Sequence, residues 1–222
     1  LLKKIRLGGV TMLSKKILSL LMAAICISMS ANTAFADYRL NPISVHRARG
    51  GKTNLQEHIS MIKKYTKKKV SGILRRNPTQ IVLCTTILAD QIRKAYDHAN
   101  KNRGQRPYVR RQVAWSRGSV LAAQKIMAAR AKKYAYSARY LILHGRYRSA
   151  KTALTNCHKS SRAAATASSR RAAQLLNSIK SRVNSAIRVL SSSRPSPAQK
   201  AAAIFNIGVA IILTIALVAC FA

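Results

Sequence analysis

Between His98 and Ala222 the chain carries 23 Lys and Arg and not one Asp or Glu. A fold built from such a stretch cannot neutralise itself. Its cations must stand apart on the surface, and apolar side chains alone are left to drive collapse. Over the whole sequence 41 basic residues oppose 4 acidic ones, for a formal charge of +37. Screening or an external polyanion should therefore stabilise the compact form. Yet 48% of the residues are apolar, too many for a disordered basic tail.

So few carboxylates leave little material for acid–base pairs. Glu57, Asp90 and Asp97 form no constellation that predicts hydrolysis or metal chemistry. His46, His58, His98, His144 and His158 lack the compact spacing, supported by cysteines, of a zinc site. Cys157-His158 are neighbours, which a helix would point about 100° apart, and they lie in no nucleophile motif. Gly51-Lys52-Thr53 resembles the end of a phosphate-binding loop, but His46 stands where the earlier glycine is required. The expectation is a non-enzyme with no catalytic residue, cofactor or metal.

The two ends carry apolar segments. Lys15 and Lys16 precede an apolar run over residues 17–27, and Ala34-Phe35-Ala36 makes a small-x-small cleavage site. This layout predicts a secretory signal peptide over residues 12–36, with 1–11 as an upstream extension. An uncleaved anchor is the other reading. Residues 201–222 hold no charged side chain, which is enough for a transmembrane helix. Ser191-Ser192-Ser193 followed by a polar spacer also fits the layout of a lipid-anchor transfer signal.

Between those ends apolar residues recur at helical intervals. Leu55, Ile59, Ile62, Thr66, Ile73 and Leu74 mark one face, opposed by Lys63, Lys64, Lys67, Lys68 and Lys69. Asn54 and Glu57 fit a capped helix start, and Asn77-Pro78 a break and restart. Ile81, Cys84, Leu88, Gln91 or Ile92, Ala95 and Ala99 then line one side. Gly104 and Pro107 mark the next junction. Gly118 either interrupts the following helix or merely weakens a longer one. Val120, Ala123, Met127, Ala131, Tyr134, Ala138 and Leu141 form an inward stripe, and His144-Gly145 a stop. Lys125, Lys132, Arg139 and Arg146 repeat every seven residues as a cationic stripe. One last helix is expected over much of 149–190, with an Ala/Ser-rich part that either packs closely or stays mobile.

The sequence thus predicts an all-α protein: an amphipathic helical bundle or helical hairpins, with an N-terminal signal segment and a C-terminal transmembrane helix. Its expected divisions are 1–36 (signal), 37–54 (irregular, basic), 55–190 (basic helical domain), 191–200 (Ser/Pro linker) and 201–222 (membrane segment). Candidate anion-binding residues are the five lysines named above with Lys125, Lys132, Lys133, Arg139, Arg146 and Arg148. Tyr136, Tyr140 and Tyr147, set among cations, are candidates for stacking on bases. Cys84 and Cys157 would join two helices in an oxidising compartment, or serve as small packing residues in a reducing one.

The expected function is that of a membrane-tethered basic protein binding anionic lipid headgroups or envelope polymers. Nucleic-acid binding or condensation, and service as a structural subunit of an envelope, secretion or virion assembly, are the alternatives. An acidic protein is another partner the charge allows, and an oligomer of the chain is a further alternative. A cleaved signal puts the basic body on the exoplasmic side; failed translocation leaves it at the cytoplasmic leaflet.

Overall fold

A computed structural model describes residues 55–191 and 195–222. The expected leader at 12–36, the stretch at 37–54 and the Asn54 cap lie outside the described residues. The described residues form helices and the turns between them, with no strand among them. In chain order come α1 (Leu55–Leu74), α2 (Pro78–Lys101), a 3-10 turn (Arg103–Gln105), α3 (Arg106–Leu143), α4 (Tyr147–Ala165), α5 (Arg170–Val189) and α6 (Pro197–Ala219).

The 38-residue α3 is the spine, about 57 Å long at 1.5 Å per residue. Its first turns pack with α1 and α2 around Leu55, Ile59, Ile62, Leu88, Ala95, Ala99, Val109 and Val113. Further along, the same helix joins α4, α5 and α6 around Met127, Ala131, Leu154, Ile179, Val183, Ile207 and Leu217. Ala135, Ala138, Ala150, Ala164, Ala172, Ala186, Ala203 and Ala210 fill much of this second core. Such small side chains let helix axes come close. Where the two cores meet, Thr66 and Ser116 share a buried hydroxyl hydrogen bond of 2.6 Å.

Gly118 does not interrupt α3. It is exposed, and its cost of about 1 kcal/mol relative to alanine is small beside the burial of Val113, Ala123 and Met127 on either side. The expected stop at His144-Gly145 forms: Gly145 has φ +71°, and the N–H of Arg146 donates to Leu141 O at 2.8 Å. The same closure ends α1, where Asn77 N–H donates to Gly72 O at 2.8 Å with Arg76, not glycine, at φ +58°. Asn77 then caps α2, accepting from Gln80 N–H at 3.1 Å.

One continuous helix over 149–190 does not form. Thr166 turns extended and Ala167 left-handed at φ +51°, and Ser169 restarts the chain by accepting from Ala172 N–H at 3.2 Å. The Ala/Ser-rich part before the turn packs closely, with Ser160, Ser161, Ala163, Ala164 and Ala165 all buried.

The C-terminal apolar helix starts at Pro197, earlier than the apolar run itself. A reciprocal cap between Ser196 and Gln199, with bonds of 3.2 and 2.8 Å, holds its first turn. It is long and apolar enough to cross a membrane. One side packs against α3 and α5 through Ala203, Ile207, Ala210, Ile211 and Leu217. Only 39% of its apolar window is buried, and Phe205 on its outer side is 66% exposed.

Candidate polyanion-binding surface

Helix α1 turns its buried side toward α2 and α3, which leaves Lys63, Lys64, Lys67 and Lys68 exposed together. The Lys68 ammonium lies 5.5 Å from the centre of the Tyr65 ring. Lys69 departs from this cationic face. It falls in the repeat Ile62, Thr66, Lys69, Ile73, and all four are buried. Burial pushes its ammonium down to about 8, against a weaker opposing pull from Cys84.

On α3 the stripe holds for Lys125, Lys132 and Arg139, all exposed, with Lys133 beside them. Arg146 leaves the stripe because the helix ends at Leu143; it stands instead at the start of α4. There Arg146, Arg148 and Lys151 line an open recess of about 630 Å³ beside Gly145 and Ser191. Tyr147 is half-buried, with the Lys200 ammonium 5.6 Å from its ring centre. That contact takes up a face which stacking on a base would need. Tyr136 and Tyr140 remain exposed, although the Tyr140 ring lies 4.0 Å from that of His144.

A second recess, about 440 Å³, gathers Arg75, Arg76, Lys159 and Arg162 around Pro78. No local pattern announces it, because its residues come from the α1–α2 turn and from α4, some eighty positions apart. Arg76 is fixed there. Its guanidinium donates to Asn156 Oδ1 at 2.9 Å and to Tyr134 Oη at 3.3 Å, and lies 5.6 Å from the Tyr134 ring centre. Tyr134 thus belongs to packing rather than to an open surface.

Carboxylates do little to offset this field. Among the described residues the only ion pairs run from Asp90 to Arg93 at 3.3 Å and to Lys94 at 2.7 Å. Burial alone would raise the Asp90 carboxyl, but hydrogen bonds from Lys94 and Arg93 outweigh it and hold it below the ordinary range. His158 feels the opposite environment. Burial first, then Lys180 and Arg162, depress its pKa and favour the neutral ring.

His58, Cys84 and Cys157 are packed in the interior, whereas Glu57 and Asp97 are exposed. Cys84 and Cys157 are buried free thiols, not joined to each other. Burial pushes Cys157 up to about 12, outweighing the hydrogen-bonding effect of Ser161. His58 bonds Gln91 Oε1 through Nδ1 at 2.9 Å, and its ring lies 5.5 Å from that of His98. Among the described residues no three His, Cys, Asp or Glu side chains form a group able to hold a metal ion. In comparisons with protein-family models, curated proteins and solved structures, the chain matches none.

Proposed function

We propose that the protein is a non-catalytic, membrane-tethered helical module whose cations hold anionic lipid headgroups or envelope polymers. The observation that carries this reading is the pairing of two unmet demands. Helix α6 is more apolar than its packing uses, with Phe205 and Ile215 left exposed. Meanwhile the ion pairs among the described residues lie within α2, and the lysines and arginines of α1, α3 and α4 enter none of them. An anionic bilayer answers both, through hydrocarbon for the helix and phosphate for the cations.

In this reading α6 exchanges its contacts with α3 and α5 for lipid. Hydrocarbon is as apolar as the core it leaves, so α6 itself loses little beyond the amide of Asn206, and the cost of the exchange lies in the faces of α3 and α5 that it uncovers. With residues 12–36 removed as a leader, the basic body faces the exoplasmic side. Flotation of the full chain with vesicles, followed by alkaline carbonate extraction, tests the tether. Retention in the bilayer after carbonate supports a spanning α6, and complete release refutes it. Protease protection reads the side.

A second reading, nucleic-acid condensation, has one observation in its favour: exposed Tyr136 and Tyr140 lie among Lys133 and Arg139. Competition between double-stranded DNA and anionic vesicles of matched charge separates the two. Vesicles should win if the bilayer is the partner.

A further inference from the structure

We infer that the outward face of α3 is the surface that enters an anionic bilayer, lying along it with apolar side chains between the headgroups. This rests on the membrane reading above and names the face that makes the contact. Trp115, Ile126, Tyr136, Tyr140 and Leu143 are between 43% and 62% exposed, although all five are large and at least partly apolar. The steps 115, 118, 122, 126, 129, 133, 136 and 140 are three or four residues each, so they run along one side of the helix. Gly118, Ala122, Ala129 and Lys133 occupy the positions between the large side chains. From Trp115 to Leu143 the strip extends about 42 Å.

Cations flank it. Lys125, Lys132 and Arg139 run along one edge, Lys133 stands within the strip, and Arg130 lies on the other edge. Helix α3 contains no carboxylate. That charge pattern selects the occupant. A second copy of the chain, pressed face to face, would bring cation against cation with no acid to separate them. A nucleic acid meets the cations and can stack on Trp115 and the tyrosines, but Ile126 and Leu143 have no ring to stack. An anionic bilayer gives phosphate to the edges and the headgroup–acyl boundary to the middle, where tryptophan and tyrosine concentrate.

Trp115 is the single tryptophan of the chain, so its emission reports this face alone. The full-length protein is mixed with phosphatidylglycerol/phosphatidylcholine vesicles, and with phosphatidylcholine alone, while sedimentation measures binding separately. The expected result is a blue shift with the anionic vesicles only, and quenching by lipids brominated near the top of the acyl chain. Ile126→Ser combined with Leu143→Ser should shrink the blue shift and the quenching severalfold at equal sedimentation, since α6 still tethers the chain while two apolar side chains no longer gain from leaving water. Both sites are exposed, so the helical circular dichroism should be unchanged. DNA binding by this variant should equal that of the parent. Sedimentation with vesicles while Trp115 emission stays fixed and unquenched overturns the assignment of this face and leaves the membrane reading standing. No sedimentation with anionic vesicles at low salt overturns both. A blue shift that grows with protein concentration in the absence of vesicles also overturns it, in favour of a second copy.

Discussion

The guanidinium of Arg182 donates a 3.3 Å hydrogen bond to Oδ1 of Asn206, joining α5 to α6 through the one amide in residues 201–222. The Asn206 amide nitrogen in turn donates to Ala202 O at 2.9 Å. A polar group within an apolar helix is costly to place in hydrocarbon, and here the bundle provides it with a partner. The pair therefore favours the packed position of α6 over the lipid one.

Asn206→Leu removes both the bond and the polar group. The expected outcome is a larger carbonate-resistant fraction in flotation, with helix content unchanged. The bundle in solution should lose about 0.5–1.5 kcal/mol, read by chemical denaturation. Arg182→Ala should give a similar loss of stability but a smaller gain in resistant protein, because the amide must still enter hydrocarbon. Equal behaviour of the two variants in carbonate would show that Asn206 does not govern the exchange.

Arg76 closes α1 in a backbone conformation that glycine adopts freely and arginine does not. Its hydrogen bonds to Asn156 and Tyr134 explain the choice of residue, since they fasten the α1–α2 turn onto α3 and α4. Arg76→Ala keeps the strain and loses the bonds, with an expected loss of about 1.5–3 kcal/mol. Arg76→Gly loses the same bonds but relieves the backbone, and should be less damaging by about 1 kcal/mol. Thermal unfolding of the two variants side by side checks the order.

Much of the fold was legible because apolar spacing reports burial directly. On the face expected of Ile81, Cys84, Leu88, Gln91 or Ile92, Ala95 and Ala99, Gln91 and Ile92 are half-buried and the other five are buried. Asn77-Pro78 and His144-Gly145 act as the start and stop that their chemistry predicts. The break at 166–169 was hidden because alanine and serine fill helix interiors and turns alike; the capping role of Ser169 was the available signal. Adjacency places Lys69 with Lys67 and Lys68, whereas a helix rotates about 100° per residue and carries it round to Ile62, Thr66 and Ile73. The recess of Arg75, Arg76, Lys159 and Arg162 exists only through tertiary packing. Sequence spacing has no access to such an assembly.

Lys69 makes stability depend on pH in a stated direction. Burial lowers its pKa from 10.5 to about 8 in the folded chain. Between those values the unfolded chain still holds a proton that the folded chain has released, so stability rises with pH through this window. Below about pH 8 the folded state carries the full cost of the buried charge. Lys69→Met should therefore stabilise the protein most near neutral pH, by at most about 3 kcal/mol. Its advantage should shrink as pH approaches 10.5. Urea denaturation of both proteins at pH 7 and pH 10 reads the difference, which cancels the other groups that titrate there. A constant advantage at both values would place the Lys69 ammonium in water.

The same substitution at two glycines should act with opposite signs. Gly118 lies within α3, exposed, with open space where a Cβ would stand. Gly118→Ala gains helix propensity without a clash, a stabilisation of about 0.5–1 kcal/mol. Gly145 also has open space, but its φ of +71° is the left-handed region that closes α3. Gly145→Ala should cost about 1 kcal/mol for that conformation alone. Because neither site has a neighbour to strike, backbone geometry is the sole difference, and denaturant midpoints at unchanged slope measure it. If Gly118→Ala destabilises instead, α3 is not one continuous helix through residue 118, and the two cores do not share a rigid spine.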